Sequence, residues 1–388
     1  MSISSRLAPH QRVFAAFAIY AFALGNLFPR LPAIKDAMGV QEGALGLALI
    51  GTSTGTLISL TLASQIIARL GGHRTALFIL LPCMALFFAI AVNATGPVAL
   101  YFLLIPAGLT MGAIEVIVNV EADRTEAALG RRIMNRAHAF WSFGFFGAGI
   151  FGAVMAQLGV PPAIHLAGIL PLTILVVWLL LSDFQPGPKR STETADDTPA
   201  IARPTMGIMV LVGVSLSAML LEGASIDWSA IYMSSVFDAA PFLGGLAVAT
   251  TALTQAITRY NADRIVDRHA PDTVARIMQV GIMLGIVVVF VAPSPAIALL
   301  GFALIGAGTS AIFPLAMSAA AQRSDRAAAV NVAALAQFSF VIFLLGPPLL
   351  GFVAEHAGLR WTFGIGLPLV VLSFALSGAL GSKPIGDR

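Results

Sequence analysis

The chain has 388 residues, of which 58% are hydrophobic and 11% charged, and its mean hydropathy is +0.89. So few charges cannot cover a water-soluble fold of this size, so lipid must be the solvent for most side chains. A formal charge of +3 spread over such a chain gives no basic face for nucleic acid, and no nucleic-acid partner is expected.

Apolar runs of about 20 residues, the length that crosses a hydrocarbon core of about 30 Å, recur along the chain. They fall at 12–33, 42–68, 75–94, 98–121, 135–158, 162–182, 206–233, 242–262, 274–293, 295–320, 328–355 and 359–380. Short breaks such as Asn93-Ala94-Thr95-Gly96-Pro97, Gly159-Val160-Pro161-Pro162 and Pro293-Ser294-Pro295 separate them. The first run follows a short polar stretch, Ser2 to Gln11, with no small-residue cleavage site, and is expected to stay as a helix.

With the N-terminus inside, only Arg30, Lys35 and Arg360 fall outside, which leaves 19 of the 22 basic residues on the inner side. That bias predicts a multi-pass protein with both termini cytoplasmic; the expected location is a bacterial inner membrane. The long hydrophilic stretch Ser182 to Thr205 reads as a cytoplasmic linker. The expected division is therefore 1–182, a six-helix bundle; 183–205, the linker; and 206–388, a second six-helix bundle. The fold class is all-α, with twelve transmembrane helices in two pseudo-symmetric bundles. Gly-rich stretches mark the fifth span (Gly144, Gly147, Gly149, Gly152) and the eleventh (Gly346, Gly351). The Pro29/Pro32 and Gly346-Pro347-Pro348 clusters predict bent or interrupted helices. Cys83, the lone cysteine, reads as a reduced packing residue.

Ionisable groups inside a span are costly and mark functional positions. Glu115 and Asn119 stand one turn apart in the fourth span, on one face. Glu222 in the seventh span is followed by Gly223, which permits close approach or local unwinding. Glu115, Glu222 and Asp227 are the candidate proton-coupling acids. The bland alternatives are a structural pairing of Glu115 with Arg136 and a fixed ion pair of Glu222 with Arg30. Arg30 and Asp227 lie at similar depth in the first and seventh spans, so they could form an outer gate or a permanent pair. Tyr20, Asn26, Asn119, His138, Trp141, Trp228, Gln255, Asn331 and Gln337 could line a polar path, though each is also explained as a helix–helix contact. Trp228 and Tyr232 equally suit interfacial anchors, and Arg259 reads as a snorkelling or loop residue.

Enzyme readings fail. Asn261, Asp263 and Asp267 imitate a metal-binding acidic motif but are interleaved with Arg264 and Arg268, and no second cluster exists. No phosphate-binding loop and no His/Cys metal set are visible, so no metal and no cofactor are expected.

Ala68-Arg69-Leu70-Gly71-Gly72-His73-Arg74, after the second span, resembles a worn signature loop of the major facilitator superfamily, with Ala68 at the usual acidic place. The matching loop Asp263-Arg264-Ile265-Val266-Asp267-Arg268-His269 keeps its acid and base, Asp267 and Arg268, as candidate gating residues. Within that superfamily the chain resembles the MosC-type, rhizopine-associated branch and, more distantly, the fucose–proton symporters. The residues carrying this are Arg30-Leu31-Pro32-Ala33-Ile34-Lys35 with Leu45-Gly46, Glu222 to Ser229, Gly346-Pro347-Pro348 with Gly351, Glu115 to Asn119, and Asn135 to Phe140. The resemblance implies proton-coupled movement of a small polar solute by a monomer lying in the bilayer. The first span here has Tyr20, Asn26 and Arg30 but lacks the acid that the fucose symporters use for coupling. A sugar, cyclitol or amino-cyclitol is the expected solute class. An efflux transporter for drugs or metabolites, or a solute sensor without flux, are the alternatives.

Overall fold

The structure is a computed structural model that describes residues 4–189, 202–266 and 268–381, the side chains of Asp263 and Ala329 aside. The described residues fold as helices joined by short turns, with no strand among them. Eleven helical segments are long and apolar enough to cross a membrane.

The first crossing runs from Pro9 to Met38 and is broken in the middle. Helix α1 (Pro9–Gly25) ends where the Asn26 side chain donates to the Phe22 carbonyl at 2.7 Å. Pro29 has no N–H to continue the ladder, so Phe28–Arg30 forms a 3-10 turn before α2 (Leu31–Met38) resumes. Helices α3 (Glu42–Arg69), α4 (His73–Ala91), α5 (Pro97–Leu129), α6 (Met134–Gln157) and α7 (Pro162–Leu181) complete the first bundle. Helix α5 extends eight residues past the expected end at 121, because Gly130 provides the left-handed stop (φ 62°) only there.

The second bundle holds α8 (Met206–Phe237), α9 (Pro241–Val266), α10 (Pro271–Val291), α11 (Pro295–Thr309), α12 (Ile312–Ala321), α13 (Ala328–Ala357), α14 (Leu359–Gly364) and α15 (Gly366–Leu376). Helix α9, eighth in chain order, completes the twelve crossings. It has 26 residues, and Thr250, Thr251, Thr254, Gln255, Thr258 and Arg259 lower its apolar content, yet it packs among crossing helices against α6, α8 and α11. One expectation about breaks is corrected: the tenth crossing is interrupted between α11 and α12, which the apolar run concealed. Of the bent or interrupted helix expected at Pro347 and Pro348, the interruption does not occur, since α13 is continuous through both.

The bundles meet along α6–α9 and α3–α13. We call the end where α1 begins and α7 stops the near end, and the opposite end the far end. At the far end a Cβ on Gly245 would lie 2.5 Å from Ala153 Cβ, and one on Gly46 would lie 2.4 Å from the Pro347 carbonyl oxygen. Only glycine lets these helices approach so closely. The Gly43 N–H donates to Glu355 Oε2 at 3.0 Å and the Phe242 N–H to Gln157 Oε1 at 3.2 Å, both across the far end. The core is aromatic: Tyr232 stands edge-on to Phe302 and Phe363, and Trp228, Phe145 and Phe17 are fully buried. Phe102, Trp178, Ile277, Leu300 and Phe352 are exposed, as suits side chains facing lipid tails.

Candidate functional site: a polar bridge between the bundles

Mid-depth in the first bundle, Glu115 on α5 accepts a hydrogen bond from Asn119 Nδ2 at 2.8 Å and is hydrogen-bonded to the Tyr20 side chain of α1. Asn119 Oδ1 in turn accepts from His138 Nε2 of α6 at 3.2 Å, and the Phe17 ring packs edge-on against His138. The helical spacing of 115 and 119 explains the first contact; packing of α1, α5 and α6 supplies the others. Arg136 is not the partner of Glu115, and its guanidinium stands 5.8 Å over the Tyr260 ring of α9.

The second bundle answers with Arg259. Its Nη2 reaches Glu222 Oε1 at 3.3 Å, its Nη1 donates to Ser142 Oγ of α6 at 3.2 Å, and its Nε donates to the Ser310 carbonyl at 2.9 Å. That carbonyl is free for a local reason. Pro314 stands four residues on and has no N–H, so the helical partner of Ser310 O is missing. Ser142 Oγ also reaches Gln255 Oε1 at 3.4 Å, which ties α6 to α9. Arg259 lies within electrostatic reach of Glu115 and His138 as well. A single guanidinium thus links an acid of its own bundle to the polar cluster of the other. Beside it, Trp141, Phe145, Glu222, Thr251 and Gln255 wall a narrow pocket of about 10 Å³, room for little more than one water. The Tyr20 and Trp141 rings are 6.4 Å apart and the Trp141 and Phe145 rings stack at 5.1 Å.

Of the candidate residues, Tyr20, Glu115, Asn119, His138, Trp141, Glu222 and Gln255 therefore gather at one depth between the bundles. Others do not. Glu222 pairs with Arg259 and not with Arg30. Arg30 and Asp227 form no bridge: Arg30 Nη2 donates to the Val160 carbonyl, and Asp227 has no hydrogen-bond or ion-pair partner among the described residues. On α8, residues 222, 226, 230 and 234 share the row facing the first bundle, whereas Asp227 is on the row of Gly223, whose nearest neighbour is Phe343 of α13. Asn26 accepts from His165 Nε2 at 3.0 Å and joins α1 to α7. Asn331 donates to Asp325 Oδ1 at 2.9 Å in the near-end turn before α13, and Gln337 accepts from the Ala202 N–H at 3.0 Å; both serve the segment entering α8. Trp228 is fully buried against Gly351, and Tyr232 donates to the Val289 carbonyl at 2.6 Å, so neither anchors at an interface. Of the loop gate, Arg268 is exposed in the turn after α9, and Asp267 lies outside the described residues.

Arg259 is the member the sequence reading missed. It lies four residues after Gln255 and eight after Thr251, on one helical face of an otherwise apolar run, and that periodicity was its signal. A second buried charge cluster also went unread. At the near end, Glu121 accepts from His73 Nδ1 at 2.5 Å, Arg124 Nη1 at 2.8 Å and the Gly187 N–H at 2.7 Å.

Two bundles in such an arrangement, with polar groups concentrated where they meet, define the class of membrane carriers built from paired six-helix repeats. The model of the Major Facilitator Superfamily matches residues 210–384. The uncharacterised transporter y4wD of Sinorhizobium fredii is 29% identical over 361 residues, covering 92% of this chain and 94% of that protein. The membrane protein MosC of Rhizobium meliloti is 28% identical over 355 residues, covering 88% and 83%. Among solved structures, the E. coli fucose:proton symporter FucP superposes with a TM-score of 0.63 at 16% identity, over 97% of this chain and 99% of that one. The second bundle thus matches the Major Facilitator Superfamily, and over nearly its whole length the chain is similar to multi-pass membrane transporters, with the fold of a solved symporter.

Proposed function

We propose that the protein is a proton-coupled secondary transporter that moves a small hydroxylated solute, a sugar, cyclitol or amino-cyclitol, by alternating access. The observation that carries this reading is the Arg259 bridge. Protonating Glu222 would release Arg259 from its acid, weaken its hold on Ser142 across the bundles, and favour a change of state. Glu115, with Tyr20, Asn119 and His138, forms the second proton-binding group. The hydrogen-bonding groups and aromatic walls around Trp141 and Gln255 suit a solute with several hydroxyls. The bundles, divided at residues 182 and 206, rock about this site as a monomer in a bacterial inner membrane, with the near end cytoplasmic because it carries most of the Lys and Arg.

The test uses purified protein in proteoliposomes with a panel of labelled sugars and cyclitols. Counterflow is expected for at least one solute, and an imposed pH gradient should drive its accumulation. In Glu222→Gln, counterflow should persist while the pH-driven accumulation is lost. Unchanged pH dependence in that variant would place coupling elsewhere, and a protein that binds but never exchanges solute would be a sensor.

A further inference from the structure

We propose that the far-end cavity between the bundles is a binding site for a small monocarboxylate, with the Arg30 guanidinium as its anion partner. This site is separate from the central pocket, and the inference does not depend on the solute or the coupling proposed above. The cavity has a volume of about 180 Å³, below the range of drug-sized sites, so it suits only a small molecule. Pro29, Arg30 and Asp36 line it from one bundle, and Ser234, Ala240 and Pro241 from the other.

Arg30 is 3% exposed, yet of its three nitrogens only Nη2 has an acceptor, the Val160 carbonyl. Nε and Nη1 have none, and no carboxylate among the described residues forms a salt bridge with the side chain. Its ionisable neighbour is His165, an imidazole committed through Nε2 to Asn26, which brings no negative charge. Unlike lysine, arginine cannot escape burial by losing its proton. A buried guanidinium with idle donors is therefore a standing cost that a carboxylate reduces by accepting from one of them. Ser234 offers a hydroxyl on the facing side, a partner for a hydroxylated body. Asp36 is exposed at the rim, where its charge would oppose a second anionic group on the ligand. That selects a monocarboxylate over a dicarboxylate.

The measurement is equilibrium binding to the purified full chain in detergent without any gradient, which reads the cavity independently of transport. Sodium D-gluconate is compared with D-sorbitol, which lacks the carboxylate, and with sodium sulfate at matched ionic strength. Gluconate should bind and the other two should not. Arg30→Gln should weaken gluconate by about thirtyfold or more, as expected when one partner of a buried charge pair is removed. Asp36→Asn, an exposed position safe for folding, should tighten it about two- to threefold by lifting the like charge. Should Arg30→Gln fail to fold, the Asp36→Asn shift decides. Equal binding of sorbitol or sulfate, absence of gluconate binding, or gluconate affinity indifferent to these substitutions would each overturn the assignment.

Discussion

Proline inside a membrane helix is usually discussed for the bend it causes, but at two positions here its consequence is chemical. Pro314 frees the Ser310 carbonyl, which Arg259 takes at 2.9 Å, and Pro347 frees the Phe343 carbonyl, which Ser53 Oγ of α3 takes at 2.7 Å. In lipid a freed carbonyl must find a donor nearby, so each proline fixes the place of a partner from another helix. Pro314→Ala should restore the N–H to Ser310 and complete the helical bond, leaving Arg259 without its third anchor. Alanine is the best helix former, so the variant is expected to fold. Solute counterflow should nevertheless fall severalfold as Arg259 loses its fixed aim at Glu222. Counterflow at wild-type rate would show that the Ser310 contact does not position the guanidinium. At this scale the acids were legible in the sequence because charge inside an apolar run stands out. Their partners were not: Arg259 is 51 residues from Ser310 in sequence but adjacent in space, and Glu222 with Arg30 or with Arg259 are equally plausible pairs until helices are placed.

The elements themselves were largely readable, since each crossing is a run of apolar residues bounded by Pro, Gly or Asn. Their misreadings have identifiable causes. The α11–α12 break is hidden because Ala311 and Ile312 are as apolar as their neighbours, and α5 outruns its apolar stretch because Glu121, Asp123 and Arg124 remain helical until Gly130. Close helix approach depends on single glycines. In Gly245→Val the new side chain would meet the backbone and Cβ of Ala153, at 2.7 and 2.5 Å from the Cβ position. An overpacking penalty of about 1 to 3 kcal/mol falls on the closed far end alone, so the equilibrium should move toward a far-end-open state. Greater labelling of a cysteine introduced at Ala156 would report it, and unchanged labelling would mean the helices adjust without opening. The start of α13 offers a pH test. Hydrogen bonds from Arg323, with Asn331 and Thr205 adding to them, hold the Asp325 carboxyl at about 2, below its ordinary 3.8. A depressed carboxyl adds stability that is present above about pH 4 and is lost as the pH falls toward 2. The melting temperature should thus fall more steeply from pH 4 to pH 2 in the wild type than in Asp325→Asn; parallel curves would remove this contribution.

At the scale of the whole molecule, the two-bundle plan follows from counting crossings and from the basic bias, but how the connection between bundles is tethered was not visible, because it depends on a buried acid that reads as part of a cytoplasmic helix end. Glu121 is almost fully buried, with His73, Arg124 and the Gly187 N–H all turned toward it, while Arg12 and Arg74 donate to the carbonyls of Asp183 and Ser182 at 2.8 and 2.6 Å. The first residues of the connection are thereby bound to the first bundle, so the reach left for relative motion of the bundles is set by the residues beyond Gly187. Removing the charge of Glu121 leaves Arg124 buried beside a neutral amide, a loss on the order of 3 kcal/mol. Glu121→Gln should lower the melting temperature and also free the connection, so that limited proteolysis between residues 183 and 205 becomes several-fold faster under conditions where the bundles stay folded. Faster cleavage without loss of counterflow would show that the tether serves stability alone. Faster cleavage with altered solute affinity would show that the anchored connection biases the two states, and cleavage at the wild-type rate would show that Glu121 does not hold the connection.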